Sequence, residues 1–255
     1  MLNKKRLYIT AIIVLVLGLS AYFLLIEFNL FSEKIKCHRI TNRAFLSELN
    51  SDEGEYQERQ LYVSDRWVRQ NMSRDVAVIY DSVTDGVMYV NYEKEEYAVL
   101  DLDSIEKKVS SVSGMFGEFE SGLEKTDETK RIGRWNTRIY KLSLNAIQFK
   151  MKVDLYVAED IRLPEVYDTF QVKWKAFQGL FKNLTDELLK IKGYPVKSEG
   201  KMFFAENYKL VRNDVIEYSR QDVSKSLFEI PGDFREVPFN IFMLRDDNNR
   251  GKINN

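Results

Sequence analysis

One cysteine and one histidine in 255 residues remove most of the side chains on which metal sites and nucleophilic enzymes are built. A lone Cys37 excludes an internal disulfide and any multi-cysteine metal site, and a lone His38 beside it excludes a histidine-rich one. No charge of one sign dominates: 38 Lys+Arg stand against 39 Asp+Glu, a net charge of −1. A general nucleic-acid binder would carry a basic excess, so that class is excluded. The chain also lacks an internal repeat, a low-complexity block, a glycine-rich phosphate loop, a serine flanked by glycines and a His-Glu helix signature. What it has is 44% hydrophobic and 13% aromatic residues, enough for a sizeable core. Its length suits one domain with an appendage, or two small domains.

The first 54 residues divide by charge. Lys4, Lys5 and Arg6 close a basic end (1–6), and residues 7–26 then contain no charged side chain. At about 1.5 Å rise per residue such a run spans a hydrocarbon core of about 30 Å. The basic flank predicts a single-pass anchor in the cytoplasmic inner membrane, with the remainder of the chain extracytoplasmic, or periplasmic. The rival is a cleavable signal peptide, whose apolar region usually runs about 7–15 residues. Its best cleavage point, Leu19-Ser20-Ala21, lies inside the apolar run. Residues 27–54 read as a linker, 55–240 as the folded domain and 241–255 as a polar tail.

Within the domain, alternation of polar and apolar residues predicts an antiparallel meander from Gln57 to Leu100, with a tight turn at Asp85-Gly86. Ile105, Val109, Val112, Met115, Phe116, Phe119 and Leu123 recur at helical spacing, capped by Asp103 or Ser104. Strands are predicted over 129–132, 135–144 and 148–158. Pro164 then opens a helical stripe through Val166, Phe170, Trp174, Phe177, Phe181, Leu184, Leu188 and Ile191 to Gly193. Final strands are predicted at 196–199, 201–205, 208–218 and 226–230. The class is α+β: a long antiparallel sheet that curls, with helices across its concave side.

Carboxylate pairs such as Asp101/Asp103, Asp127/Glu128 and Asp186/Glu187 are what 39 acidic residues produce by chance. No catalytic residue, metal site or cofactor is predicted, and adjacent Cys37 and His38 aim poorly at a common point. The remaining material is apolar. Trp67, Met88, Met115, Phe116, Phe119, Trp135, Met151, Trp174, Phe177 and Phe181 are the candidate lining of a pocket for flexible chains. Filling a core is the alternative use of the same residues.

Three stretches resemble an uncharacterised bacterial domain family similar to the LolA/LolB-like periplasmic lipoprotein-carrier superfamily. They are Lys125 to Trp135 leading into a strand, Gly193-Tyr194-Pro195-Val196-Lys197, and Phe228-Glu229-Ile230-Pro231-Gly232-Asp233-Phe234. The resemblance implies a half-open antiparallel β-barrel with a helical lid over an apolar cavity, and a lipid or lipoprotein acyl chain as partner. It also implies a cavity arginine, for which Arg66, Arg69 and Arg74 are the candidates. A retained anchor would forbid free shuttling between membranes. Three functions follow: a membrane-anchored module binding an apolar ligand, a non-enzymatic envelope protein with a filled core that docks a protein partner, and a carboxylate-based enzyme.

Overall fold

The alternation of burial along each strand builds one sheet. The computed structural model describes residues 33–113, 120–146, 149–177, 182–240 and 243. Its strands in chain order are β1 (Lys34–Ser47), β2 (Gly54–Val63), β3 (Trp67–Asn71), β4 (Val76–Asp81), β5 (Gly86–Asn91), β6 (Glu96–Val99), β7 (Glu120–Ile132), β8 (Trp135–Asn145), β9 (Phe149–Ala158), β10 (Tyr194–Phe204), β11 (Asn207–Ser224) and β12 (Arg235–Glu236). Helix α1 (Leu102–Ser113) follows β6, and α2 (Glu165–Trp174) and α3 (Lys182–Leu188) separate β9 from β10.

All twelve strands form a single sheet in the order β12-β6-β5-β4-β3-β2-β1-β11-β10-β9-β8-β7. The expected half-open barrel with a helical lid is therefore corrected to one large open sheet. Neither edge closes on the other, and both edges suit exposure. β7 carries Glu120, Glu124, Lys125, Asp127, Glu128, Lys130 and Arg131, and β12 is two residues long. Charged and short edge strands discourage pairing with other chains.

The expected membrane span over residues 7–26 lies outside the described residues. Among the described residues no helix is long and apolar enough to cross a membrane. The expected linker, by contrast, contains a central strand: β1 pairs with β2 on one side and β11 on the other. Its sequence hides this, because Cys37 and Ile40 take opposite faces and a register shift between Thr41 and Asn42 breaks the alternation before Phe45.

The inner face carries two apolar clusters. Ile40, Val63, Val68, Val78, Tyr80 and Val215 form one, onto which α2 sets Val166 and Phe170 and α1 sets Ile105. Tyr140, Leu142, Leu144, Met151, Val153 and Leu155 form the other, packed by Leu184, Leu188 and Ile191. Phe170 and Tyr80 are 0% and 1% exposed, with ring centroids 6.2 Å apart, so side chains fill the space beneath this part of α2. This packing leaves beneath α2 only a small polar cavity of about 250 Å³, in place of the expected large apolar one.

The outer face is crossed by the chain after β11. A short 3₁₀ turn at Lys225–Phe228, in place of the predicted final strand, sets Phe228 into a third cluster with Cys37, Ile79 and Val90. The segment continues to β12, which pairs in parallel with β6, and then turns Val237 and Phe239 onto the inner face. Asp101, rather than Asp103 or Ser104, caps α1, accepting from the Ser104 backbone N–H at 3.1 Å and its hydroxyl at 2.6 Å. The predicted continuation of α1 to Leu123 is replaced by β7, which already contains Gly122 and Leu123. Gly193 has φ +128°, and a Cβ there would meet the Ala158 carbonyl oxygen at 2.5 Å. Only glycine opens β10 against β9 at that distance.

Candidate functional site

The ten predicted pocket residues do not share one site. Met115, Phe116, Phe119 and Phe181 lie outside the described residues. Trp67 and Met88 sit on the outer face, where Trp67 stacks on Phe228 with ring centroids 5.8 Å apart. Met151 is in the second inner cluster. Trp135, Trp174 and Phe177 pack against the first inner cluster. Strand pleating divides those on strands, since residues of opposite parity point to opposite faces.

Trp174 and Phe177 do belong to a continuous aromatic row. Phe170 meets Trp174 at 5.7 Å, Trp174 stacks on Phe177 at 4.4 Å, Phe177 meets Phe239 edge-on at 6.0 Å, and Phe239 meets Tyr89 at 6.2 Å. Two cavities touch this row, one at Phe239 and the other at Trp174.

The first is a cleft of about 930 Å³ at the edge of the sheet. Its apolar lining comes from Val99 of β6, Ile105 of α1, and Val237, Pro238, Phe239 and Met243 of the C-terminal segment. Glu96, Asp101, Ser104 and Lys108 supply its polar lining. Val99, at 54% exposure, is an apolar side chain left open there. Small-molecule sites span about 300–1,000 Å³ and are mostly apolar with few polar groups. The signal missed in the sequence was the run Val237-Pro238-Phe239, placed at the end of the domain and credited with no role.

The second cavity, about 250 Å³, lies under α2 in the middle of the sheet. Its floor is Asn42 and Ala44 of β1, Arg59, Gln60 and Leu61 of β2, Gln70 of β3 and Asn213 of β11. Tyr167, Gln171 and Trp174 of α2 roof it, and Tyr194 of β10 joins them. Asn42 and Arg59 are direct cross-strand partners, as are Ala44 and Asn213. The Tyr194 hydroxyl sits against Asn42 and Tyr167, and Tyr167 against Gln171. Burial raises the pKa of both phenols, so each stays a neutral hydroxyl.

The other polar groups are used within the fold. Cys37 and His38 point to opposite faces: the thiol is buried and pushed up to about 11 by desolvation, and His38 Nδ1 meets the Tyr218 hydroxyl at 3.1 Å. Arg66 holds Asp81 through two bonds of 2.8 and 2.7 Å. Hydrogen bonding from Arg66, opposed by partial burial, keeps the Asp81 carboxyl below its ordinary range. Arg69 is on the outer face, donating to the Tyr92 hydroxyl at 2.8 Å and the Leu227 carbonyl at 2.6 Å, which fastens the 3₁₀ turn to the sheet. Arg74 is exposed in the turn before β4. Among the described residues no three His, Cys, Asp or Glu side chains gather as a metal site.

No curated protein matches the sequence significantly. Solved structures of PNGF-II in two crystal forms align over 83% of this chain at 8% identity, with TM-scores of 0.41 and 0.38. The chain spans 32% and 33% of those structures, about a third of their length, and likeness at this level carries no conclusion about fold or activity. Residues 48–234 match the family described as a domain of unknown function, DUF4412, and with most of its length inside that match the chain is a member of that family.

Proposed function

We propose that this domain is a binding module, performing no covalent chemistry, that holds an apolar ligand such as an acyl chain in the edge cleft. The observation that carries this is the 930 Å³ cleft with Val99, Ile105, Val237, Pro238, Phe239 and Met243 on its walls. Methionine and aromatic walls adapt to flexible chains. Each buried CH₂ contributes about 0.8 kcal/mol, so a 14-carbon chain has a gross driving force of about 11 kcal/mol, reduced by the cost of ordering it. The uncharged run at residues 7–26 supports a site held beside the inner membrane, on its extracytoplasmic side.

Titration of the full chain with a fluorescent fatty-acid probe tests this. Saturable binding that Ile105→Asp or Phe239→Asp weakens by about tenfold or more supports the cleft, since each places an unpaired charge on an apolar wall. Binding that neither substitution affects would remove the cleft from the account.

A further inference from the structure

We propose that the cavity under α2 is a separate site for a small monocarboxylate, whose carboxylate is held by Arg59 and whose short apolar stem lies against Leu61 and Trp174.

The argument begins with an uncompensated charge. Arg59 is half-buried, and burial alone accounts for the lowering of its pKa, with no charged group among the described residues contributing to the shift. Its recorded hydrogen bonds both end on one neutral acceptor, Gln57 Oε1, at 3.3 Å from Nε and 2.8 Å from Nη2. A guanidinium has five N–H donors, so three remain: the pair on Nη1 and the second on Nη2. One on each Nη points away from the Cδ stem, and these two form the end-on fork that receives a carboxylate through two parallel bonds.

Arg66 and Arg69 each have a visible use, with Asp81 and with the Leu227 carbonyl. Arg59 instead faces a 250 Å³ cavity whose remaining polar walls are amides and phenols, all uncharged at neutral pH. Burying a lone charge is costly unless an opposite charge meets it. A single negative charge balances this cavity. A phosphate, at about −1.5 to −2, would leave an excess negative charge in a site with one cation. The Asn42 Oδ1 is also buried without a partner beside Arg59. Turning that amide over places an N–H donor in the same position, ready for a second carboxylate contact. The volume limits the stem to a few carbons.

Isothermal titration calorimetry on the full chain, with propionate and inorganic phosphate as probes, tests the proposal. Propionate is expected to bind saturably, with affinity reduced about tenfold or more by Arg59→Gln and unchanged by Arg43→Gln on the neighbouring strand. Should Arg59→Gln fail to fold, Ala44→Leu fills the cavity without touching a charge and is expected to abolish propionate binding. Absence of saturation in the wild type, equal affinity in Arg59→Gln, or binding retained in Ala44→Leu would each overturn the proposal. Phosphate binding more tightly than propionate would overturn the monocarboxylate assignment. The fatty-acid probe at the edge cleft is expected to be insensitive to Arg59→Gln, so failure of one site leaves the other standing.

Discussion

Replacing Phe170 by alanine measures how firmly α2 is anchored in the core. Phe170 is 0% exposed, its ring 6.2 Å from Tyr80 and 5.7 Å from Trp174. Removing a fully buried phenylalanine costs about 3–5 kcal/mol through lost transfer energy and the cavity left behind. Two aromatic partners place this position near the middle of that range, about 4 kcal/mol. For a domain of this size each kcal/mol moves Tm by about 2–4 °C, so a fall of about 8–16 °C is expected. Urea denaturation followed by circular dichroism gives the free energy directly, with an unchanged m-value showing that the native state stays equally compact. Val172 on the same helix is 48% exposed, and Val172→Ala is expected to shift stability by no more than about 0.5 kcal/mol. A Phe170→Ala cost below about 1 kcal/mol, or one equal to that of Val172→Ala, would refute the packed inner face.

Other perturbations test other parts of the account. A chain shortened to begin at Leu49 keeps nearly all of the family match but loses β1, which joins β2 to β11; it is expected to show no cooperative unfolding transition. Cys37 is expected to resist Ellman's reagent at pH 8 in the native state and to react at once in denaturant, because burial pushes its thiol up to about 11. Its folded pKa is raised above the ordinary thiol value of 9.0, so its contribution to stability is fully present below about pH 9 and is lost as pH rises toward about 11. Asp81→Asn removes the anion that Arg66 holds and is expected to cost about 1–3 kcal/mol at neutral pH. The wild-type Asp81 carboxyl has a depressed pKa, so its stabilisation is present above the unfolded value and disappears as pH falls through the folded one, a slope that Asp81→Asn is expected to lack.

The strands that alternate cleanly were legible in sequence. In β9, Met151, Val153, Leu155 and Val157 face in while Lys150, Lys152 and Asp154 face away, and the pleat requires that arrangement. β1 was not legible, because polar Asn42 occupies an inward position. That residue is part of the polar cavity, so the feature that concealed the strand is the one that makes the site. Arg59 breaks the inward series with Leu61 and Val63 in the same way. A polar residue at an inward position of a predicted strand was the available signal, and it was passed over in favour of the aromatic residues. Those aromatics were grouped as one cavity because composition does not report which face of a sheet each residue takes. The pleat sends Trp67 and Met88 outward, whereas Trp174 on α2 and Phe177 just after it pack on the inner face. The final predicted strand failed for a local reason: Ser224 accepts a hydrogen bond from the Ser226 N–H at 3.4 Å and starts a 3₁₀ turn instead.

Binding of an apolar ligand in the edge cleft is the central claim, and photoaffinity labelling tests it most directly. The full chain would be irradiated with a diazirine-bearing fatty acid and the labelled residues located by peptide mass spectrometry. The account predicts labels on Val99, Ile105 and the Val237–Phe239 stretch, competed away by unlabelled fatty acid. Label spread over the outer face and the β7 edge, or label that unlabelled fatty acid does not displace, would contradict it.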